Sequence, residues 1–196
     1  MAIVFCCVKN CFDGMGFSAT PAPRRETNPI TLDTNHVGHE VVIVKNGLRI
    51  CGSGGAITNA PLVQSKSYFE VKIQQSGVWG VGLATLNTDL NRSPGGMDAG
   101  SWVFCWDGVF RHNNTEIQKA LQHANEGDIL GVSYDHVELN FYLNGKNMDS
   151  PVTGVKGHVF PVLFVDDGAI LDIVLDNFNY PPPQGFEKIM LEQSLL

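Results

Sequence analysis

Val137-Glu138-Leu139-Asn140-Phe141-Tyr142-Leu143-Asn144-Gly145 is the stretch that decides the architecture of this chain. Successive side chains of an extended strand point to opposite faces, so Val137, Leu139, Phe141 and Leu143 share one side and Glu138, Asn140 and Tyr142 the other. Asn144-Gly145 then supplies two residues that accept the positive φ a tight hairpin demands. A half-buried strand that turns sharply back on itself implies an antiparallel sheet. Toward the N-terminus, Tyr68-Phe69-Glu70-Val71-Lys72-Ile73 alternates in the same way, with Phe69, Val71 and Ile73 together. Further out, Val41-Val42-Ile43-Val44, Lys45-Asn46-Gly47 and Leu48-Arg49-Ile50 read as a second hairpin. Toward the C-terminus, Phe160 to Val165 and Ala169 to Leu175 flank a turn at Asp166-Asp167-Gly168.

Helix signals are few. Thr115 to Ala124 reads as one short helix, with Thr115 as its N-cap and Ile117 and Leu121 on the buried side. Phe186 to Leu195, after Pro181-Pro182-Pro183, reads as another, with Ile189 and Met190 facing inward. Neither alternates with strands in a βαβ rhythm, which disfavours a parallel sheet. The expected architecture is all-β, a sandwich of antiparallel sheets with one or two short helices. Its expected parts are a cysteine-containing tail over 1–29, a sandwich domain over 30–185 and a C-terminal segment over 186–196.

Hydrophobic residues make up 43% of the 196 and charged residues 17%, a balance that supports one buried core and carries no disorder signature. The 21 glycines and 10 prolines are spread along the chain, as many short strands joined by tight turns require. Net charge is -7 and the basic residues are scattered apart from Arg24-Arg25, so the clustered positive footprint of a nucleic-acid binder is missing. No apolar run approaches the roughly 18 residues of a membrane span. Ala2 to Val8 lacks the basic flank of a secretory leader. Five cysteines, with Cys6, Cys7 and Cys11 bunched and Cys51 and Cys105 isolated, do not make a disulfide framework. A cytoplasmic location follows as the expectation. Asn91-Arg92-Ser93 and Asn113-Asn114-Thr115 are then chance matches to the glycosylation pattern.

Several motifs offer chemistry and a plainer reading beside it. In Trp79-Gly80-Val81-Gly82-Leu83-Ala84-Thr85 the glycines strip one strand face of side chains. No Gly-Lys-Ser/Thr or helix start follows, so a packed strand is favoured over a phosphate loop. Gly52-Ser53-Gly54-Gly55 lacks GxGxxG spacing and reads as a loop. Ser133-Tyr134-Asp135-His136 places Ser, Asp and His together, yet neighbours on a strand diverge, so a capped turn is favoured over a hydrolytic relay through Ser133. His36 and His39 have no partner pair for zinc, and Cys6-Cys7 with Cys11 lacks a fourth ligand. No metal and no cofactor are expected. Cys6, Cys7 and Cys11 beside Ile3, Val4 and Phe5 are lipidation candidates, since two acyl chains hold a protein at a membrane where one does not. The alternative is a tail of free thiols.

The ordered strands resemble a SPRY domain. Tyr68 to Val71, Trp79 to Thr85, Ser101-Trp102 with Trp106-Asp107, Gly131-Val132 with Asp135, Leu139 to Gly145 and Pro161 carry the resemblance over about residues 50 to 178. It implies a bent, concanavalin A-like sandwich of two antiparallel sheets, and a non-catalytic adaptor that binds another protein or peptide through its loops. In the SOCS-box branch of the family a Val-Trp-Gly turn helps hold an Asp- and Asn-rich peptide. By position that turn falls on Asp166, Asp167 and Gly168, and the branch's ligand-facing tyrosine falls near Asn91. Two carboxylates in place of an apolar pair repel an acidic peptide and favour a basic or hydrogen-bond-donating one. The partner-binding residues that the resemblance implies are therefore Asn91, Arg92, Trp106, Asp107, Asp166, Asp167 and Gly168. The rivals are a lipid-tethered membrane scaffold, with peripheral contact through the tail, and a hydrolase.

Overall fold

A computed structural model describes residues 29–191. Its strands form one strongly curled sheet that folds into two layers at β3 (Arg49–Thr58). The second half of β3 lies in the first layer, which runs β1 (Leu32–Val37), β3, β13 (Phe160–Asp166), β5 (Val78–Ala84), β6 (Ser101–Cys105), β7 (Val109–His112) and β8 (Thr115–Lys119). The first half lies in the second layer, which runs β2 (Glu40–Val44), β3, β14 (Ile170–Val174), β4 (Ser67–Gln75), β9 (Ile129–Tyr134) and β10 (Glu138–Leu143). β11 (Lys146–Asn147) and β12 (Val152–Thr153) both pair with β10. All these pairings are antiparallel, as the hairpin signals require.

The layers close on one core. Trp79, Val81 and Leu83 of β5 and Phe104 of β6 meet Val71, Ile73, Leu130, Phe141 and Leu171 from the facing layer. Phe141 lies with its ring 5.2 Å from that of Phe110 and 5.7 Å from that of Phe104. Burying aromatic rings edge-on contributes beyond the area they remove from water. A second cluster of Ile57, Ala84, Val103, Cys105, Phe160, Val162 and Phe164 lies on the outer face of the first layer. The two clusters follow directly from strand alternation.

Two buried carboxylates tie peripheral segments to this frame. Glu70 takes the Tyr68 hydroxyl and the Tyr180 amide on Oε1, and the Asn179 amide and side chain on Oε2. Asp172 takes Arg49 Nε at 2.5 Å, Lys45 Nζ at 2.8 Å and Gln74 Nε2 at 3.0 Å. Burial alone would raise the Asp172 pKa, but the bonds and charges of Arg49 and Lys45 together outweigh it and hold it below the ordinary Asp value.

Three expectations are corrected. Thr115–Lys119 is an edge strand, not a helix: Asn113 and Asn114 both take positive φ (51° and 57°) and turn the chain back on β7. Leu121 is 98% exposed, and Ala120 and Ala124 are buried instead. The segment after Pro183 carries β15 (Glu187–Lys188), which pairs parallel to β4, where a helix was expected. Gln64 holds it there by accepting from Met190 N and donating to Lys188 O. Gly52-Ser53-Gly54-Gly55 lies inside β3 rather than in a loop, at the passage between layers. A Cβ on Gly55 would lie 2.5 Å from the Phe164 ring, so the absent side chain admits that ring.

Candidate loop surface

β13 and β14 are joined by Asp166-Asp167-Gly168-Ala169, closed by a bond from Ala169 N to Asp166 O at 3.0 Å. Asp167 and Gly168 take φ of 47° and 80°, the primed-turn geometry that Gly and Asp accept and most residues resist. Asp166 Oδ1 accepts the Asp167 amide at 2.8 Å, and Gly168 O accepts Gln75 Nε2 at 2.9 Å. Neither carboxylate pairs with a cation among the described residues.

The Trp106-Asp107 turn links β6 to β7 at the same end of the first layer. Asp166 pairs with Val78 and Gly80 with Cys105, and Trp106 N donates to Trp79 O at 3.0 Å. The two turns therefore cap strands that flank β5. The Arg111 guanidinium grips both oxygens of Asp107, at 2.8 and 2.5 Å. Those bonds hold the Asp107 carboxyl below the usual Asp range against the opposing pull of burial, and raise Arg111. Trp106, held by its backbone, is 46% exposed.

The loop over 87–98 crosses the outer face of the same strands. Leu90 O accepts Gly55 N at 2.7 Å, and Asn91 Oδ1 accepts His39 N at 2.9 Å. A Cβ on Gly80 would run into the Pro94 carbonyl, one on Gly95 into the Phe164 ring, and one on Gly96 into Arg111. The loop thus touches the residue that clamps Asp107. Asn91 and Asp107 each bond a partner within the domain, His39 N and Arg111 respectively. Arg92, Trp106 and Asp167 are exposed, and Asp166 is half-exposed.

Ser133, Asp135 and His136 do not converge. Ser133 Oγ meets Tyr142 OH at 3.4 Å, Asp135 Oδ1 caps the amides of Val137 and Glu138, and His136 Nε2 contacts Gln64 O. His36 pairs with Asp33 at 2.8 Å, and no group of three or more His, Cys, Asp or Glu side chains converges among the described residues. Cys6, Cys7 and Cys11 lie outside the described residues.

Sequence reasoning missed a cavity of about 410 Å³ at the opposite end of the first layer, lined by Thr85, Asn87, Trp102, His112 and Lys156 among others. His112 stacks on Trp102 with ring centres 4.6 Å apart and planes 9° from parallel. Their sequence separation hides the pair; only the β6–β7 register, which sets Trp102 opposite His112, brings them together.

The SPRY domain model matches residues 66–178. SPRY domain-containing protein 7 of Bos taurus is 51% identical over 196 residues, spanning 99% of this chain and 98% of the relative. The TRIM65 PSpry domain superposes with a TM-score of 0.60 at 16% identity, covering 76% of this chain and 91% of that one. The SPRY domain of human HERC1 gives 0.60 at 17% identity, covering 76% and 99%. A match over more than half the chain and a near-full-length relative of this identity place the chain in the SPRY domain family.

Proposed function

We propose that this chain is a non-catalytic protein-interaction module whose Trp106/Asp166-Asp167 end takes a basic or hydrogen-bond-donating segment of a partner. SPRY domains are generally interaction modules, which supports the first half of the reading. The observation that carries the second half is an exposed indole beside two carboxylates without a cation partner among the described residues. Trp106 supplies apolar area at low entropic cost, and Asp166 and Asp167 supply charge that repels an acidic peptide. Replacing both aspartates by lysine reverses that charge on a turn whose backbone geometry lysine tolerates at Asp166 and strains at Asp167. Asp166→Lys with Asp167→Asn is therefore the matched second variant. In a pull-down, both variants lose partners that the intact chain captures; an unchanged partner set from both rejects this surface.

A second reading concerns the tail. Cys6, Cys7 and Cys11 offer thiols for more than one acyl chain, which supports a cytoplasmic protein with peripheral membrane attachment. Fractionation of the Cys6→Ser, Cys7→Ser, Cys11→Ser variant tests it. Attachment is expected to disappear; if the variant stays on the membrane fraction, acylation is not its cause.

A further inference from the structure

The cavity at the opposite end of the first layer is lined by Thr85, Asn87, Ala99, Gly100, Trp102, His112, Gly154 and Lys156. No carboxylate among the described residues lines it, although acidic residues outnumber basic ones by 20 to 13 in the chain. Its side chains are rich in donors: the Lys156 ammonium, the Trp102 indole N–H, the Asn87 amide and the Thr85 hydroxyl. None of these four makes a side-chain hydrogen bond among the described residues, and Lys156 has no ion pair among them. His112 Nδ1 lies 2.9 Å from Ser101 O, which fixes Nδ1 as the donor and the ring against Trp102. Asp98 stands behind Gly100, its oxygens already taken by Asp89 N, Gly100 N and Ser101 Oγ.

Lys156 is presented by a built loop. Gly154 and Gly157 take φ of 80° and 86°, and between them Val155 is buried in the main core while Lys156 is exposed. The loop between β12 and β13 thus sets one cation at a cavity walled by a stacked aromatic pair. One cation with neutral donors around it matches the single charge and the several lone pairs of a carboxylate. A phosphate dianion would be left with uncompensated charge.

We propose that this cavity is a second binding site, distinct from the Trp106 end, and that it receives one carboxylate from an acidic side chain of a partner protein. The probes are acetate, a blocked Gly-Glu-Gly peptide and inorganic phosphate, each titrated into the full chain while the Trp102 indole and His112 ring signals are followed by NMR. Expected are saturable shifts with acetate and with the peptide, the peptide the tighter, and Lys156→Ala weakening both about tenfold, the size of one charge-assisted bond. Lys156→Arg is expected to restore most of the binding. A free carboxylate as the source is indicated if the peptide binds no tighter than acetate, and that outcome overturns the partner assignment. Phosphate binding tightest overturns the carboxylate. Shifts that rise linearly, or that Lys156→Ala leaves unchanged, overturn the site itself.

Discussion

At one end of the first layer, Asp166 and Asp167 stand beside an exposed Trp106. At the other, Lys156 and His112 stand beside a buried Trp102. The same strands reach both ends, because β5 and β6 run antiparallel between them. What differs is how each tryptophan is held. Trp102 is buried in the main core and stacked against His112. Trp106 lies one residue beyond the strand, after Cys105, and is held by its backbone bond to Trp79. A step from strand to turn thus converts a core residue into a contact residue. The lesson is that exposure of an aromatic in this fold is set by register against the layer's end more than by residue type.

Variants can break this comparison, beginning with the largest expected effect. Gly80→Ala drives a methyl into the Pro94 carbonyl on the outer face, where the loop over 87–98 lies on β5 and β13. It is expected to cost about 3 kcal/mol in denaturant unfolding, the upper part of the range for overpacking a close-packed contact. The loop's release should also be readable at Cys105. Burial pushes that thiol up to about 11 against the opposing influence of Arg111, so in the intact chain it alkylates slowly at pH 8. Mass spectrometry should find faster Cys105 labelling in Gly80→Ala and little change at half-exposed Cys51.

Asp107→Ala is next, at about 2 kcal/mol, because it leaves the half-buried Arg111 without its paired acceptor. Its pH dependence sharpens the assignment. The Asp107 carboxyl is depressed, so its contribution is present above the unfolded value of about 3.9 and is lost as pH falls through the lower folded value. Asp107→Asn should therefore be less stable than the intact chain at neutral pH, with the gap closing in acid. A gap that stays constant would show that Arg111 does not act through this charge.

The smallest effects are expected where the side chains carry no ion pair. Asp166→Lys and Lys156→Ala should each change stability by no more than about 0.5 kcal/mol, since neither residue makes an ion pair among the described residues. A larger loss at either position would mean that the end in question serves the fold rather than a ligand.

The parts that could be read from the sequence were those whose signal is local. Val137 to Gly145 gave an alternating strand and an Asn-Gly turn, and Asn144 does take a φ of 49°. Trp79 to Ala84 divided into a core face and a glycine face because alternation needs no long-range information. Asp135 was legible as a turn cap for the same reason. Thr115 to Ala124 failed because an N-cap residue and two apolar residues four apart fit a helix, while the competing Asn113-Asn114 turn lacked a glycine to announce it. Gly52 to Gly55 failed because what presses on these positions comes from other segments: the Glu40 carbonyl on Gly52, the Leu90 carbonyl on Gly54 and the Phe164 ring, more than a hundred residues away, on Gly55. The site followed the same division: the Asp166-Asp167-Gly168 turn was visible in sequence. The internal duties of Asn91 and Asp107, toward His39 and Arg111, appear only once the loops are in place.

The most direct measurement is a parallel affinity purification of the intact chain, Trp106→Ala, Asp166→Lys and Lys156→Ala, with cross-linked partner segments identified by mass spectrometry. Trp106→Ala and Asp166→Lys are expected to lose the same partners and Lys156→Ala to keep them, with the segments cross-linked at the Trp106 end rich in lysine or arginine. Retention of every partner by Trp106→Ala and Asp166→Lys, or loss of one common set by all three variants, would contradict this assignment.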